Sequence, residues 1–246
     1  MKVLHINTKY EGGGAARAMQ RLHDQLESKG HASRFVVGRP DQADPPRVEF
    51  MGEVVERHGT VWDGLLSRMG NRFEDYWGIH PWARRPTLKF PETEILQWAD
   101  LIDLRNLFGD YFNLWSLPEL SGKKPVVWRL PDMWALTGHC AYPYDCQRWI
   151  SGCHNCPLLS EQGRKFVEPL PTKLDGTRRV WRAKKRVYQA SKLHLIVTTR
   201  WMKENLQQGI LQDALSIHVI SNGVDVDQFR PYPAADARRE FDLPQD

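Results

Sequence analysis

Apolar residues in the first forty positions fall into a simple order. A short run at Val3–Ile6 meets the polar turn Glu11-Gly12-Gly13-Gly14, and apolar positions then recur at Ala15, Ala18, Met19, Leu22 and Leu26. That spacing is helical, whereas the opening run has the length of a buried strand. Gly30 stops the helix, and Ser33–Gly38 supplies a second strand. Strand, helix and strand in this order make a βαβ unit, which imposes parallel pairing. Further strand-length runs follow at Leu101–Leu104, Pro125–Leu130, Leu193–Thr198 and Ile217–Ile220, with helical stretches between them. Together they predict an α/β fold, a Rossmann-like doubly wound and mostly parallel sheet of about six strands. Between positions 39 and 91 prolines alternate with aromatic residues, and one or two helices are expected there. From Pro231 onward the composition is that of a linker and a short helix. The expected division is therefore one domain over residues 1–230 and a linker or the start of a further domain over 231–246.

Composition narrows the class of protein. Hydrophobic residues make up 41% and charged residues 26%, and no apolar run approaches the roughly 20 residues that a membrane-spanning helix needs. The opening residues lack the longer apolar stretch and small-residue cleavage site of a secretory signal, so a cytoplasmic protein is expected. The net charge of +4 favours anionic partners such as phosphates, nucleotides or acidic lipid heads. It is concentrated in Arg178, Arg179, Arg182, Lys184, Lys185, Arg186 and Lys192. Val180, Trp181, Val187 and Tyr188 form an apolar stripe among these cations. The stretch is either a core-facing helix with a solvated basic face or a platform for anionic lipid. A nucleic-acid partner is not expected, because the charge of the whole domain is modest and aromatic residues are not interleaved with the basic run. Ten tryptophans are mostly a core feature, with Trp62, Trp77 and Trp82 as candidates for stacking on sugar rings.

Two clusters carry candidate chemistry. Gly12, Gly13 and Gly14 stand at a strand-to-helix turn, where unpaired helix N–H groups attract anions, and Arg17 lies one turn into the helix. This run is not the dinucleotide fingerprint, and a tight turn with close helix packing is the alternative reading. Cys140, Cys146, Cys153 and Cys156 lie within 17 residues, and there is no cysteine elsewhere. One Cys-x-x-Cys pair with two further thiols suits a tetrahedral site, with structural zinc the leading candidate. Reduced structural thiols or two disulfides are the alternatives.

Several ordered motifs resemble one family. The Lys2–Asn7 run followed by Gly12–Ala18 looks like the opening of retaining GT-B glycosyltransferases of the family-four type, particularly bacterial polysaccharide and exopolysaccharide enzymes. The segments Asn106–Asn113, Lys124–Trp128, Asp132–Cys140, Thr198–Trp201 and Val219–Asp225 resemble the same group in the same order. The resemblance implies that this chain is the acceptor-binding half of a GT-B fold with a cysteine-rich loop. The half that holds most of the nucleotide sugar would lie in a separate carboxyl-terminal domain. It also implies a carbohydrate or lipid-linked acceptor, and peripheral contact with the inner membrane surface. By the same resemblance, Gly12, Gly13, Gly14, Arg17, Asn106, Asp132, Arg200, Asn222 and Gly223 are substrate-binding candidates, and Asp132 is the nearest candidate for a catalytic group. The family usually has a histidine where this chain has Pro131, and histidines are common where it has Arg105 and Phe108. Those departures leave two readings, a half-enzyme that requires its donor domain and a non-catalytic binding or scaffold protein.

Overall fold

The computed structural model describes residues 1–39, 45, 47–57, 85–108, 111–159, 174–227 and 229–244. Trp62, Trp77 and Trp82 lie outside the described residues. Seven strands form one sheet, β1 (Lys2–Asn7), β2 (Ala32–Val37), β3 (Val48–Phe50), β4 (Leu101–Leu104), β5 (Val126–Leu130), β6 (Leu193–Val197) and β7 (Ser216–Val219). They run in the order β3-β2-β1-β4-β5-β6-β7, with every pairing parallel. This is the doubly wound order, and the chain reverses its direction of winding between β1 and β4.

Six of these strands coincide with the apolar runs within a residue or two. The central ones are buried on both faces, as parallel strands covered by helices must be. Every residue of Val3–Asn7 is buried, and in β5 Val126, Trp128 and Leu130 are buried while Val127 and Arg129 are partly exposed. The seventh strand, β3, was not predicted. It is three residues long, pairs only with β2 and is half-buried, so it is too short to imprint a period on the sequence.

Helices α1 (Gly14–Ser28), α2 (Met51–Glu56), α3 (Glu94–Trp98) and α4 (Leu117–Lys123) are joined by α5 (Arg148–Ser151), α6 (Thr177–Gln189), α7 (Arg200–Gln208) and α8 (Ala234–Glu240). A 3-10 helix spans Arg85–Glu92. It and α2 are the helical pieces described in the region where one or two helices were expected. The main core gathers Leu4, Ile6, Ile102, Leu104, Trp128, Leu195 and Val197 of the sheet with Leu117, Val187 and Leu206 of the helices.

The basic helix α6 requires one correction. Arg178, Arg179, Arg182, Lys185 and Arg186 do face outward, but Lys184 is fully buried. Its ammonium donates to the carbonyls of Trp134 at 2.6 Å and Thr137 at 2.9 Å, and lies 3.5 Å from the centre of the Trp134 ring. Lys184 therefore belongs to the apolar stripe that packs on the loop after β5, not to the solvated face. Among the described residues no helix is long and apolar enough to cross a membrane.

Candidate functional site

The carboxyl ends of β1, β4, β5, β6 and β7 open on one edge of the sheet, and ligands of such folds bind along that edge at the reversal point. Three adjoining compartments of about 350, 320 and 750 Å³ form a trough there. The first lies between the glycine turn and Asn106, Pro131 and Asp132. The second takes in Gly14, Arg105, Arg129, Pro131, Thr198 and Asn222. The third continues past Arg105 and Arg129 to Arg21 and the segment 220–227.

The glycine turn is open to this trough by construction. Gly12 and Gly13 have φ of 80° and 83°, a left-handed conformation that side chains resist. A Cβ placed on Gly12, Gly13 or Gly14 would meet nothing within 4 Å, so close protein packing is not what requires glycine here. No side chain caps the first turn of α1 and no acidic residue sits in it. Its N–H groups and the positive end of the helix dipole therefore face the compartment unneutralised.

Below the turn lies a fixed scaffold. The Asn7 side-chain oxygen accepts from the Asn106 N–H at 3.1 Å, and the Thr8 hydroxyl reaches the carbonyls of Asn106 at 3.0 Å and Phe108 at 2.8 Å. The Asn106 side-chain oxygen accepts from the Phe108 N–H at 3.0 Å, so one end of that side chain is already committed to shaping the turn.

Deeper still, His5 Nδ1 and Arg105 Nε each lie 2.7 Å from the same Asp103 carboxylate oxygen, and all three residues are buried. Burial by itself would raise the Asp103 carboxyl, but the adjoining Arg105 charge and the His5 hydrogen bond outweigh it and hold the group below the usual range. The anchored Arg105 guanidinium lines the trough beside that of Arg129. Arg129 donates to the Ile220 carbonyl at 2.9 Å and to the Asn222 side-chain oxygen at 3.4 Å. Its pKa is lowered first by burial and then by the like charge of Arg105. Asp103 pairs with Arg105 and, among the described residues, leaves Arg129 without a bonded carboxylate, so the second compartment carries a net positive charge of the kind that attracts anions.

The substrate-binding candidates fall into two groups. Gly12, Gly13, Gly14, Asn106, Asp132, Asn222 and Gly223 all line the trough, and Arg21 fastens Gly223 to α1 by donating to its carbonyl at 3.0 Å. Arg17 and Arg200 are exposed and lie outside these linings; Arg21 and Thr198 occupy the trough in their place. Arg129 was not foreseen, although a signal existed: a cation within an otherwise apolar strand, one residue from its carboxyl end, is out of place unless it faces a ligand. Asp132 accepts from the Trp134 N–H at 2.9 Å. Burial raises its pKa, against the opposing pull of that N–H and of Lys184.

At the far side of the same edge, Tyr142, Tyr144 and Trp201 form an exposed aromatic group, with Tyr142 lying 5.1 Å from Tyr144 and 6.5 Å from Trp201 between ring centres. Each ring is about half exposed, which is unusual for residues so apolar. The four cysteines lie beyond these rings, around a small separate cavity under α6, and none is in a disulfide.

Comparison with known proteins agrees with this geometry. Residues 12–228 match the model of Glycosyltransferase Family 4. A relative from Escherichia coli (strain K12), which carries the name colanic acid biosynthesis glycosyl transferase WcaC, is 26% identical over 193 residues. The alignment covers 74% of this chain and 46% of that protein, so the chain spans about half the length of the curated relative it matches. The family match takes in the glycine turn, the three trough arginines and the segment that follows β7; the chain belongs to glycosyltransferase family 4.

Proposed function

We propose that the trough is the acceptor-side wall of a sugar-transfer cleft in polysaccharide biosynthesis. In this reading a sugar passes from a nucleotide sugar to a glycan or lipid-linked acceptor, and a second, donor-binding domain beyond residues 231–246 supplies the facing wall. The observation that carries the reading is the pairing of Arg105 and Arg129 opposite an uncapped helix N-terminus. Cleaving the bond between the sugar and the nucleotide leaves a diphosphate, and preorganised cations and N–H groups aimed at that charge are the largest lever a protein has on such a reaction. Asp132 and Asn106, on the other side of Pro131, face the space where an acceptor hydroxyl would stand. Holding that hydroxyl beside the anomeric carbon is the second requirement.

Half a cleft provides orientation without the enclosure that excludes water. The chain alone is expected to give no sustained transfer with a panel of nucleotide sugars. Joined to a family carboxyl-terminal domain it should transfer sugar, and Arg129→Ala should then lower kcat by about 100-fold. Robust transfer by this chain alone would refute the half-cleft reading. The specific observation favouring a non-catalytic binding protein is Pro131, which has no side-chain hydrogen-bonding group where the family usually carries histidine. Retained acceptor binding with no transfer from the joined protein would select that alternative.

A further inference from the structure

Cys140, Cys146, Cys153 and Cys156 leave the chain at four points of the loop after β5, yet all four line one cavity of about 20 Å³ beside Thr177. That volume admits one body the size of a water molecule or an ion. Apart from the four-residue α5 and a single 3-10 turn at Pro157–Leu159, residues 131–159 contain no regular helix or strand.

The Cys153-x-x-Cys156 turn is nonetheless well shaped. Gly152 and Asn155 have φ of 122° and 44°. Arg148 donates to the carbonyls of His154 and Asn155. The Cys156 N–H donates to Asp175 at 2.8 Å, and Asp175 in turn accepts from the Thr177 N–H at the start of α6. The Gly138 N–H already points at Cys153 Sγ from 3.2 Å, the kind of contact that steadies a metal-bound thiolate.

We propose that these four thiols hold one structural zinc ion in a tetrahedral S4 site that pins the loop after β5 to α6. Among the described residues no three His, Cys, Asp or Glu side chains converge closely enough to hold a metal ion. All four cysteines nonetheless line the one small cavity, and tetrahedral binding would require their side chains to turn toward a common point, with zinc–sulfur distances of about 2.3 Å. Four S–H bonds break and four Zn–S bonds form; the four protons pass to water and the zinc stays divalent, with no electron transferred. The resulting site carries two negative charges, which the Gly138 N–H directed at Cys153 Sγ offsets in part. Four thiolates leave no open position for a water, so the metal holds the loop and takes no part in chemistry. The inference does not depend on sugar transfer, because it concerns how the loop bearing Tyr142 and Tyr144 is held.

Metal analysis and cobalt substitution test it directly. Protein purified without chelator or added metal is expected to contain about one zinc per chain, and intact mass should show no disulfide. Replacing zinc by cobalt(II) in the unmutated chain should give the intense visible bands of a tetrahedral centre with strong sulfur-to-cobalt charge transfer. Cys156→Ser should lower both the zinc content and the charge-transfer intensity. A mass lower by four hydrogens, or zinc well below one equivalent, would overturn the proposal. So would a cobalt spectrum of octahedral type or one with an imidazole ligand from His139 or His154. The cobalt measurement needs no variant, so misfolding of Cys156→Ser cannot obscure the result.

Discussion

The chain leaves the same edge of the sheet after β1 and after β5, and the two departures are held in different ways. The turn after β1 is short, and its path is set by the backbone: two glycines in left-handed conformation and a helix start with no side-chain cap. The loop after β5 is long, and side chains that bond to its backbone hold it. Lys184 bonds to the Trp134 and Thr137 carbonyls, the Thr137 hydroxyl to the Cys140 carbonyl at 2.5 Å, and the Trp181 indole to the Trp149 carbonyl at 2.7 Å. A short turn is specified by which dihedral angles are allowed, whereas a long loop must offset the entropy of ordering many residues with many separate ties. The first arrangement leaves donors free for a ligand; the second uses its donors to make a rim.

The sharpest way to break this contrast is Lys184→Met, which keeps the side-chain length but leaves two buried carbonyls without their donor. Unfolding in urea should show a loss of about 3 kcal/mol, with the loop after β5 becoming susceptible to proteolysis. A cost near zero would mean the loop is held by something other than this tie. A smaller effect is expected from Gly138→Ala, where a Cβ would lie 2.2 Å from the Thr177 carbonyl oxygen and 3.0 Å from the Cys153 Cβ. Pushing the loop from α6 there should cost roughly 2 kcal/mol, whereas Gly12→Ala, whose Cβ meets open space, should act through its backbone conformation alone.

The smallest effect lies between α1 and β2. His23 of α1 is buried against Phe35 and paired with Ser33, and its pKa is lowered, chiefly by burial and then by Arg47, against the opposing Glu27 and Asp24. Since the folded form resists protonation, the unfolded chain takes up the proton first as pH falls. The contribution of His23 is therefore complete above its ordinary value of 6.5 and is lost as pH drops through and below that value. Urea midpoints compared at about pH 8 and about pH 5 should fall less for His23→Gln than for the unmutated chain. An equal fall in both would remove His23 as the acid-sensitive support of this region.

Much of the fold was legible because buried parallel strands write themselves as short, mostly apolar runs, as at Val3–Ile6 and Leu193–Val197. The edge strand Val48–Phe50 was not, since three half-buried residues carry no period. Within the trough, Asp132, Asn106 and the glycines could be named from their motifs, while Arg129 offered only the weaker signal of a cation in an apolar strand. Its setting comes from lying beside Arg105, the residue that follows the neighbouring strand β4, a relation between positions well separated in the chain. Lys184 shows the opposite error, a cation placed on the solvated face because of its charge, although its spacing from Val180 and Val187 puts it within the apolar stripe.

The order of residues alone determined the parallel architecture, the turn that only glycine allows and the clustering of four thiols, for these depend on local dihedral freedom and on period. Tertiary structure decided which cations meet, which lysine is withdrawn from water and which thiols share a cavity. Those outcomes depend on distances between segments that the chain brings together only by burying its sheet.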